Sequence, residues 1–420
     1  MPEPSVMSVE EARTLLLAGV SRLPAVEVDL LGALGRVLAD DATSDIDVAP
    51  FDNSAMDGFA VRAADLAAAA SDAPVALNVV AHIGAGDDVA GIVVRDGEAA
   101  RIMTGAPMPQ GADSIVMVER TSVVTGDGGI GSRVAFELEP RIGEHVRRRG
   151  EEVLAGDVVL PAGSVVGPAA IGLLAATGHA SVRVHARPRV AVLSTGSELV
   201  DVAETPGPGK IRDSNGYSIA AQVVAAGGVP VRYATVPDDM TATRAAFALA
   251  AEECDFIVVS GGVSVGDFDY VKPVLEELGE LVFCKVRMRP GNPQTMGSIG
   301  GVPFFGLPGN PTSTYVGFEV FVRPALRVMQ GFSDIDRPMT VARLAHDLKK
   351  KQDRRYYLRG RVEASSDGGY LVSLTGSQSS ALLMAAHLGN CFVVLPEDVG
   401  AFPAGTEVRC MRLDMEEGTP

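Results

Sequence analysis

Cysteine and histidine are both scarce in this sequence, with four Cys and six His among 420 residues. The thiols Cys254, Cys284, Cys391 and Cys410 are scattered, no two form a CxxC pair, and no His stands at metal-ligand spacing. That excludes a zinc site and a disulfide framework and leaves reduced packing thiols. Long apolar runs are missing too, since none approaches the roughly 18 residues needed to cross a bilayer. Positive charge is in deficit. A net charge of −17 argues against a surface for nucleic acid or acidic membrane, but not against a small anionic ligand. The first residues carry acids rather than the basic region of a leader, so the expectation is a soluble cytoplasmic chain with no membrane and no nucleic-acid partner.

What the chain does contain is punctuation: 47 Gly and 26 Pro within a 47% hydrophobic composition indicate several compact units joined by turns. Ser8 and Glu11 make a capping-box pattern that opens a helix over about 8–18, and a second short helix is expected over 30–38. Short β-branched runs over 74–80, 114–118 and 134–138 predict an inserted, mainly β domain. Strands over 189–194, 229–236 and 255–260 alternate with helices over 214–226 and 241–253, the spacing of βα units in a parallel sheet. A long helix over 312–329 comes next, and then short strands again. The predicted fold is multidomain α/β plus β. It has an N-terminal helical segment (1–44), the inserted mainly β domain (45–147), a return linker (148–174), a central three-layer α/β domain (175–332) and a small C-terminal β domain (333–420).

Parallel α/β sheets bind ligands at the carboxyl ends of their strands, so the residues just after each strand carry the chemistry. Here they include Thr195, Gly196 and Glu198, then Asp238, then Gly261, Gly262, Ser264 and Asp269. An isolated Asp in such a loop is ordinarily a helix cap. Three acids (Glu198, Asp238, Asp269) on one rim repel one another unless a cation sits between them, which points to an oxygen-liganded divalent metal, Mg²⁺ first. The Gly261–Gly266 loop has the small residues whose N–H groups can converge on a phosphate or another tetrahedral oxyanion. Pro308, Gly309, Asn310 and Pro311 fix a turn before the long helix, whose first N–H groups are expected on the same rim. Lys285, Arg287 and Arg289 stand at even spacing and are expected on one face of one strand. Arg147-Arg148-Arg149-Gly150-Glu151-Glu152 reads equally as a phosphate clamp or an ion-paired hinge. In the inserted domain, the runs around Asp57 (51–60) and Thr104 (101–107) gather hydroxyl, amide and acid groups among Gly and Met, as a site does.

Seven runs occur in one order: FDNSAMDGFA, RIMTGAPMP, RRRGEE, STGSEL, RDSN, GGVSVGDFDYVK and LPGNPTST. In these the sequence resembles the molybdopterin molybdenumtransferase family, which includes bacterial MoeA and the E domain of gephyrin, from about residue 5 to 412. The resemblance implies an elongated homodimer whose α/β domain is similar to the pterin adenylyltransferase fold. Asp57 and Thr104 of one subunit would face the α/β domain of the other. Glu198, Asp238 and Asp269 match acidic active-site positions, Lys285 a basic one, Arg147 the first arginine of its run, and Ser380 a serine of the C-terminal domain. Asp213 and Asn215 match a DxN element beside the pterin or nucleotide site. The implied reaction joins molybdate to adenylylated molybdopterin and releases AMP, assisted by Mg²⁺ as cofactor. The implied partners are the pterin adenylyltransferase and molybdoenzyme recipients.

The sequence departs from the pattern at Glu151-Glu152, and at Arg289 and Asn292, where some members carry lysines. Asn292 lacks a charge that would bear on oxyanion affinity. Three other readings stay open: pterin adenylylation by the α/β domain, a dimeric scaffold, and a divergent paralogue using tungstate.

Overall fold

The computed structural model describes residues 6–262 and 270–416. It divides into two compact units, Glu27–Arg183 and the pair of segments Met1–Val26 and Val184–Pro420.

The first unit is built on a six-stranded sheet, in the order Ser114–Met117, Gly58–Val61, Glu98–Ile102, Val75–Ile83, Arg133–Phe136, Thr121–Thr125. Gly58–Val61 is buried on both faces: Phe59 and Val61 enter one apolar cluster and Ala60 the other, in keeping with the two-residue period of a strand. Phe59 meets Phe136 edge-on at 5.6 Å, the arrangement that ring quadrupoles favour. A Cβ on Gly58 would lie 2.2 Å from the Val116 carbonyl oxygen, so the pairing there needs glycine. The helix expected over 30–38 does not form. Only one 3₁₀ turn (Leu31–Ala33) is present, because Gly35 takes φ +71° and the chain then extends to bridge Val37 with Val165.

In the second unit Ser8 caps the helix α1 (Val9–Ala18) through the expected reciprocal bonds with Glu11. Six strands come after it: β1 (Arg189–Ser194), β2 (Val229–Arg232), β3 (Phe256–Ser260), β4 (Gly279–Lys285), β5 (Pro293–Ile299) and β6 (Val302–Leu307). They pair in the order β2-β1-β3-β6-β5-β4, the first four parallel and the last two antiparallel. Strands β1 and β3 are near-continuous apolar runs because both sheet faces are covered. Val190, Val192, Phe256 and Val258 pack with α1, α2 (Asn215–Ala225) and the 311–329 helix, and Ala191, Leu193, Ile257 and Val259 pack with α3 (Met240–Glu253) and α4 (Val271–Leu278). This is the three-layer α/β arrangement. Strand β2 stops at Arg232, shorter than expected, and Val236 returns only as a single bridge to Thr195. The long helix runs as Pro311–Gly317, a π turn over Phe318–Val322, and Arg323–Met329.

Beyond it, the strands Arg355–Ala364, Tyr370–Leu374, Met339–Leu344, Glu407–Arg412 and Cys391–Leu395 pair in a closed ring, a small β barrel. Met288–Arg289 adds to this barrel as a parallel strand beside Arg355–Tyr356. The expectation of one strand bearing Lys285, Arg287 and Arg289 is therefore corrected. Lys285 ends β4 opposite Pro293, whereas Arg289 already belongs to the barrel sheet, so the chain changes sheets between them. All four cysteines are buried free thiols. Among the described residues no helix is long and apolar enough to cross a membrane.

Candidate active site

The carboxyl ends of β1, β3 and β6 open onto one cavity of about 670 Å³. Its lining includes Thr195, Gly196, Glu198, Asp213, Asn215, Asp238, Gly261, Gly262 and the turn Pro308-Gly309-Asn310-Pro311. It lies outside the ends of parallel strands, where βα folds place ligands. Asn215, at the start of α2, ties these ends together: its amide nitrogen donates to Ser260 Oγ at 2.7 Å and to the Gly309 carbonyl at 2.8 Å. Asp213 accepts from Ser194 Oγ at 2.9 Å and from the Gly216 N–H at 2.8 Å. Gly261 takes φ +92°, and a Cβ there would lie 2.5 Å from the Thr195 carbonyl oxygen, so the loop passes β1 closely only as glycine. Thr195 Oγ1 and Asn215 Oδ1 are buried with no hydrogen-bond partner among the described residues, as groups left for a polar ligand are.

Glu198 and Asp238 come together on this cavity as expected, while Asp269 and Ser264 lie outside the described residues. Asp238 is held at the mouth by a reciprocal pair: it accepts from the Ser197 N–H at 2.9 Å, and its own N–H donates to Ser197 Oγ at 3.1 Å. Neither Glu198 nor Asp238 is ion-paired among the described residues. Two free carboxylates on one cavity fit a hard cation that keeps several waters, such as Mg²⁺. Among the described residues no group of three His, Cys, Asp or Glu side chains is close enough to hold a metal alone. One cation stands among them: Arg212, which also lines the cavity and donates to the Glu204 carbonyl at 2.9 Å.

A second cavity of about 320 Å³ shares Pro293, Pro308 and Asn310 with the first and adds Arg289, Asn292, Ser313, Lys351, Tyr356 and Ser380. A third, of about 470 Å³, shares Arg289, Pro290, Lys351, Tyr356 and Gln378 with the second. It is lined by Arg359, which sits mid-strand in the barrel, only 1% exposed. Its Nη2 donates to the carbonyls of Ser377 and Ser379, but among the described residues Nε and Nη1 have no hydrogen-bond partner and no carboxylate pairs with it. Burial and the positive charge of Arg289 push its pKa down to about 10, so the group is destabilised as a cation by its own surroundings. An unpaired buried guanidinium with a free edge is a seat for an oxyanion, which its fork fits. Gln378 exchanges two hydrogen bonds with the Arg359 backbone at 2.9 and 3.1 Å, and this fixes the segment leading to Ser380. The Ser380 carbonyl in turn accepts from the Thr312 N–H at 2.9 Å. One of the helix N–H groups expected to face ligand is thus used to join the two domains.

Sequence reasoning missed Arg359 and Arg212. Arg359 shares a strand face with buried Tyr357, and an arginine at that parity is the signal that could have found it. Arg289 donates to the Tyr356 hydroxyl at 3.3 Å and lines both basic cavities. Lys285 lines none of the three.

In the other unit, Asp57 accepts from both the backbone N–H and the hydroxyl of Thr104, each at 2.7 Å. These bonds, with Arg101 nearby, hold its carboxyl below the usual range, so it is an exposed, fixed anion. Within the arginine run, Arg148 pairs with Asp52 at 2.7 Å and Arg149 with Asp47 at 2.5 Å, the ion-paired reading. Arg147 is exposed without an ion pair among the described residues and lines a further cavity of about 680 Å³ with Phe51, Asn53 and Gly105.

Three family models match the chain in order: the MoeA N-terminal region (domain I and II) over 7–178, a probable molybdopterin binding domain over 191–328, and the MoeA C-terminal region (domain IV) over 341–413. Similar proteins include a molybdopterin molybdenumtransferase of Staphylococcus aureus, 39% identical over 95% of this chain and 94% of that one. Another is molybdopterin molybdenumtransferase 2 of Mycobacterium tuberculosis, 40% identical over 96% of this chain and 98% of that one. Among solved structures, a molybdopterin biosynthesis MoeA protein from Pyrococcus horikosii superposes with a TM-score of 0.82 at 31% identity, covering 98% of this chain and 100% of that one.

Proposed function

This chain belongs to the MoeA family of molybdopterin molybdenumtransferases, transferases of molybdenum cofactor biosynthesis, and on that premise we propose that it inserts molybdate into adenylylated molybdopterin with release of AMP. The observation that carries the reading is the pairing of two unlike cavities: one with hydroxyls, turns and free carboxylates, the other with unpaired arginine. The substrates differ in the same way. Adenylylated molybdopterin brings a phosphoryl group and polar rings; molybdate brings a compact dianion.

The strand-end cavity binds the nucleotidyl pterin. Asn215 and Asp213 hold the rim rigid, and Thr195 Oγ1 and Asn215 Oδ1 supply the unused polar groups that orient it. Glu198 and Asp238 would hold Mg²⁺, with Asp269 as the third acid. Bound there, Mg²⁺ supplies charge neutralisation at the phosphoryl group that departs with AMP. Arg359, Arg289 and Ser380, which line the two adjoining basic cavities, hold molybdate, where orientation rather than a protein nucleophile does the catalysis. The reading extends to a homodimer in which Asp57 and Thr104 complete the partner's site. It is supported by their being fixed and exposed in a unit that lacks the strand-end cavity. Free thiols and an acidic surface suit a reducing cytoplasm.

The test is reconstitution: purified protein, adenylylated molybdopterin, molybdate and Mg²⁺, with AMP and cofactor measured together. Equal yields of the two, both lost on chelation of Mg²⁺, are expected. AMP release without molybdate incorporation would contradict the reading.

A further inference from the structure

The 470 Å³ cavity has five cations in its lining, Arg289, Lys349, Lys350, Lys351 and Arg359, and no carboxylate among the described residues that line it. In a chain of net charge −17 this is a local reversal of sign. The five are not equivalent. Lys350 spends its charge on structure, donating to the carbonyls of Lys351, Arg354 and Glu397 at 3.1–3.2 Å and lying 4.9 Å from the centre of the Tyr356 ring. Lys349 and Lys351 are exposed and have no ion pair among the described residues. Neighbouring acids are engaged elsewhere: Asp353 with Arg354 at 2.7 Å, Glu397 with Arg355 at 3.3 Å, and Asp347 with the Ala404 N–H at 2.8 Å. The remaining wall is mostly apolar: Pro290, Leu348, Tyr356, Leu358 and Leu374, with Gln378. Low-dielectric walls around charge of one sign focus the field and raise the arrival rate of a counter-ion.

Resting on the transferase reading above, we propose that the two substrates enter by separate mouths, with Lys349 and Lys351 forming an electrostatic inlet for the tetrahedral oxyanion that leads past Arg359 and Arg289. The nucleotidyl pterin uses the opposite, carboxylate-bearing mouth at Glu198 and Asp238. The lysines act on arrival and not on chemistry. Lys351 and Arg289 also line the middle cavity, so a dianion drawn in by the outer lysines passes from cation to cation toward the strand ends. A dianion and a negatively charged nucleotide then do not compete for one opening.

The experiment tracks uptake of labelled inorganic molybdate by rapid filtration, with no pterin present, on wild type and on the K349E/K351E pair at low and high ionic strength. AMP uptake is measured in parallel. The charge-reversed pair is expected to take up molybdate about tenfold more slowly at low salt, with the gap closing at high salt and AMP uptake unaltered. The K349Q/K351Q pair should fall between, and it carries the test if charge reversal impairs folding. Unchanged molybdate uptake at low salt, or an equal loss for AMP, would overturn the inlet. A wild-type chain whose molybdate uptake depends on these lysines, yet which makes no cofactor from adenylylated molybdopterin, would overturn the transferase reading alone.

Discussion

The 670 Å³ and 470 Å³ cavities, each of which shares lining residues with the 320 Å³ cavity, are built by opposite means. The 670 Å³ cavity is assembled from the segments that leave the strand ends: turns, hydroxyls, a tethering amide and the carboxylates of Glu198, Asp213 and Asp238. The 470 Å³ cavity is assembled from the sides of strands and a basic loop, and its lining includes an arginine buried without a counter-charge among the described residues. The first is made by fold topology, which brings the ends of β1, β3 and β6 to one rim whatever the loops contain. The second depends on one side chain held at a position where an unpaired charge is costly. Such a charge is tolerated where a ligand supplies the missing partner. On the proposed function, two substrates of different charge density would be received by two kinds of construction.

That contrast can be broken by mutation, and the largest effect is expected at Arg359. Arg359→Ala removes the buried fork, and kcat/KM for molybdate should fall by more than about 100-fold, as for loss of one partner of a buried charged pair. The KM for adenylylated molybdopterin should be unchanged, since Arg359 does not line the strand-end cavity. Steady-state kinetics varying each substrate in turn will read this. An intermediate effect is expected at Asp238. Asp238→Asn keeps an acceptor for the Ser197 N–H but removes a charge from the cation site. AMP release should fall roughly 10–100-fold and recover partly at raised Mg²⁺, the behaviour of a weakened metal site. No recovery would mean that Asp238 acts without the cation.

The smallest effect concerns Asp57. The Thr104 backbone N–H and hydroxyl both lower its pKa, so its charge is kept as pH falls below the usual carboxylate range and is lost only at the depressed value. Thr104→Val leaves the backbone bond and removes the hydroxyl. The acid limb of the pH–rate profile should therefore move upward, toward the ordinary Asp range, with little change at neutral pH. An unmoved limb would remove Asp57 from the rate-limiting chemistry.

The same contrast explains how much is legible in the sequence. Strand β1 and the cap of α1 can be read there because apolar run length and the Ser8–Glu11 box are local signals. Thr195, Glu198, Asp238, Gly261 and the 308–311 turn can be read because a residue just after a strand must lie on the rim. Arg359 is harder to read, since mid-strand arginines are ordinarily exposed and only its parity with Tyr357 hints at burial, which arises on the barrel face that joins Tyr357 and Phe392 to the α/β core and meets the carbonyls of Ser377 and Ser379. Lys285 is misplaced for a related reason. Even spacing implies one face only while the chain stays in one sheet, and here it changes sheets after Lys285. The helix expected over 30–38 fails on Gly35, whose positive φ outweighs a short apolar period.

The central claim is that the strand-end cavity and the basic cavities each hold their own substrate, and equilibrium binding tests it without turnover. Inorganic molybdate and AMP with Mg²⁺ would be titrated separately into wild type, Arg359→Ala and Asp238→Asn. A crossed pattern is expected, in which Arg359→Ala loses molybdate and keeps AMP while Asp238→Asn weakens AMP and keeps molybdate. Parallel losses of both ligands in either variant would contradict the account.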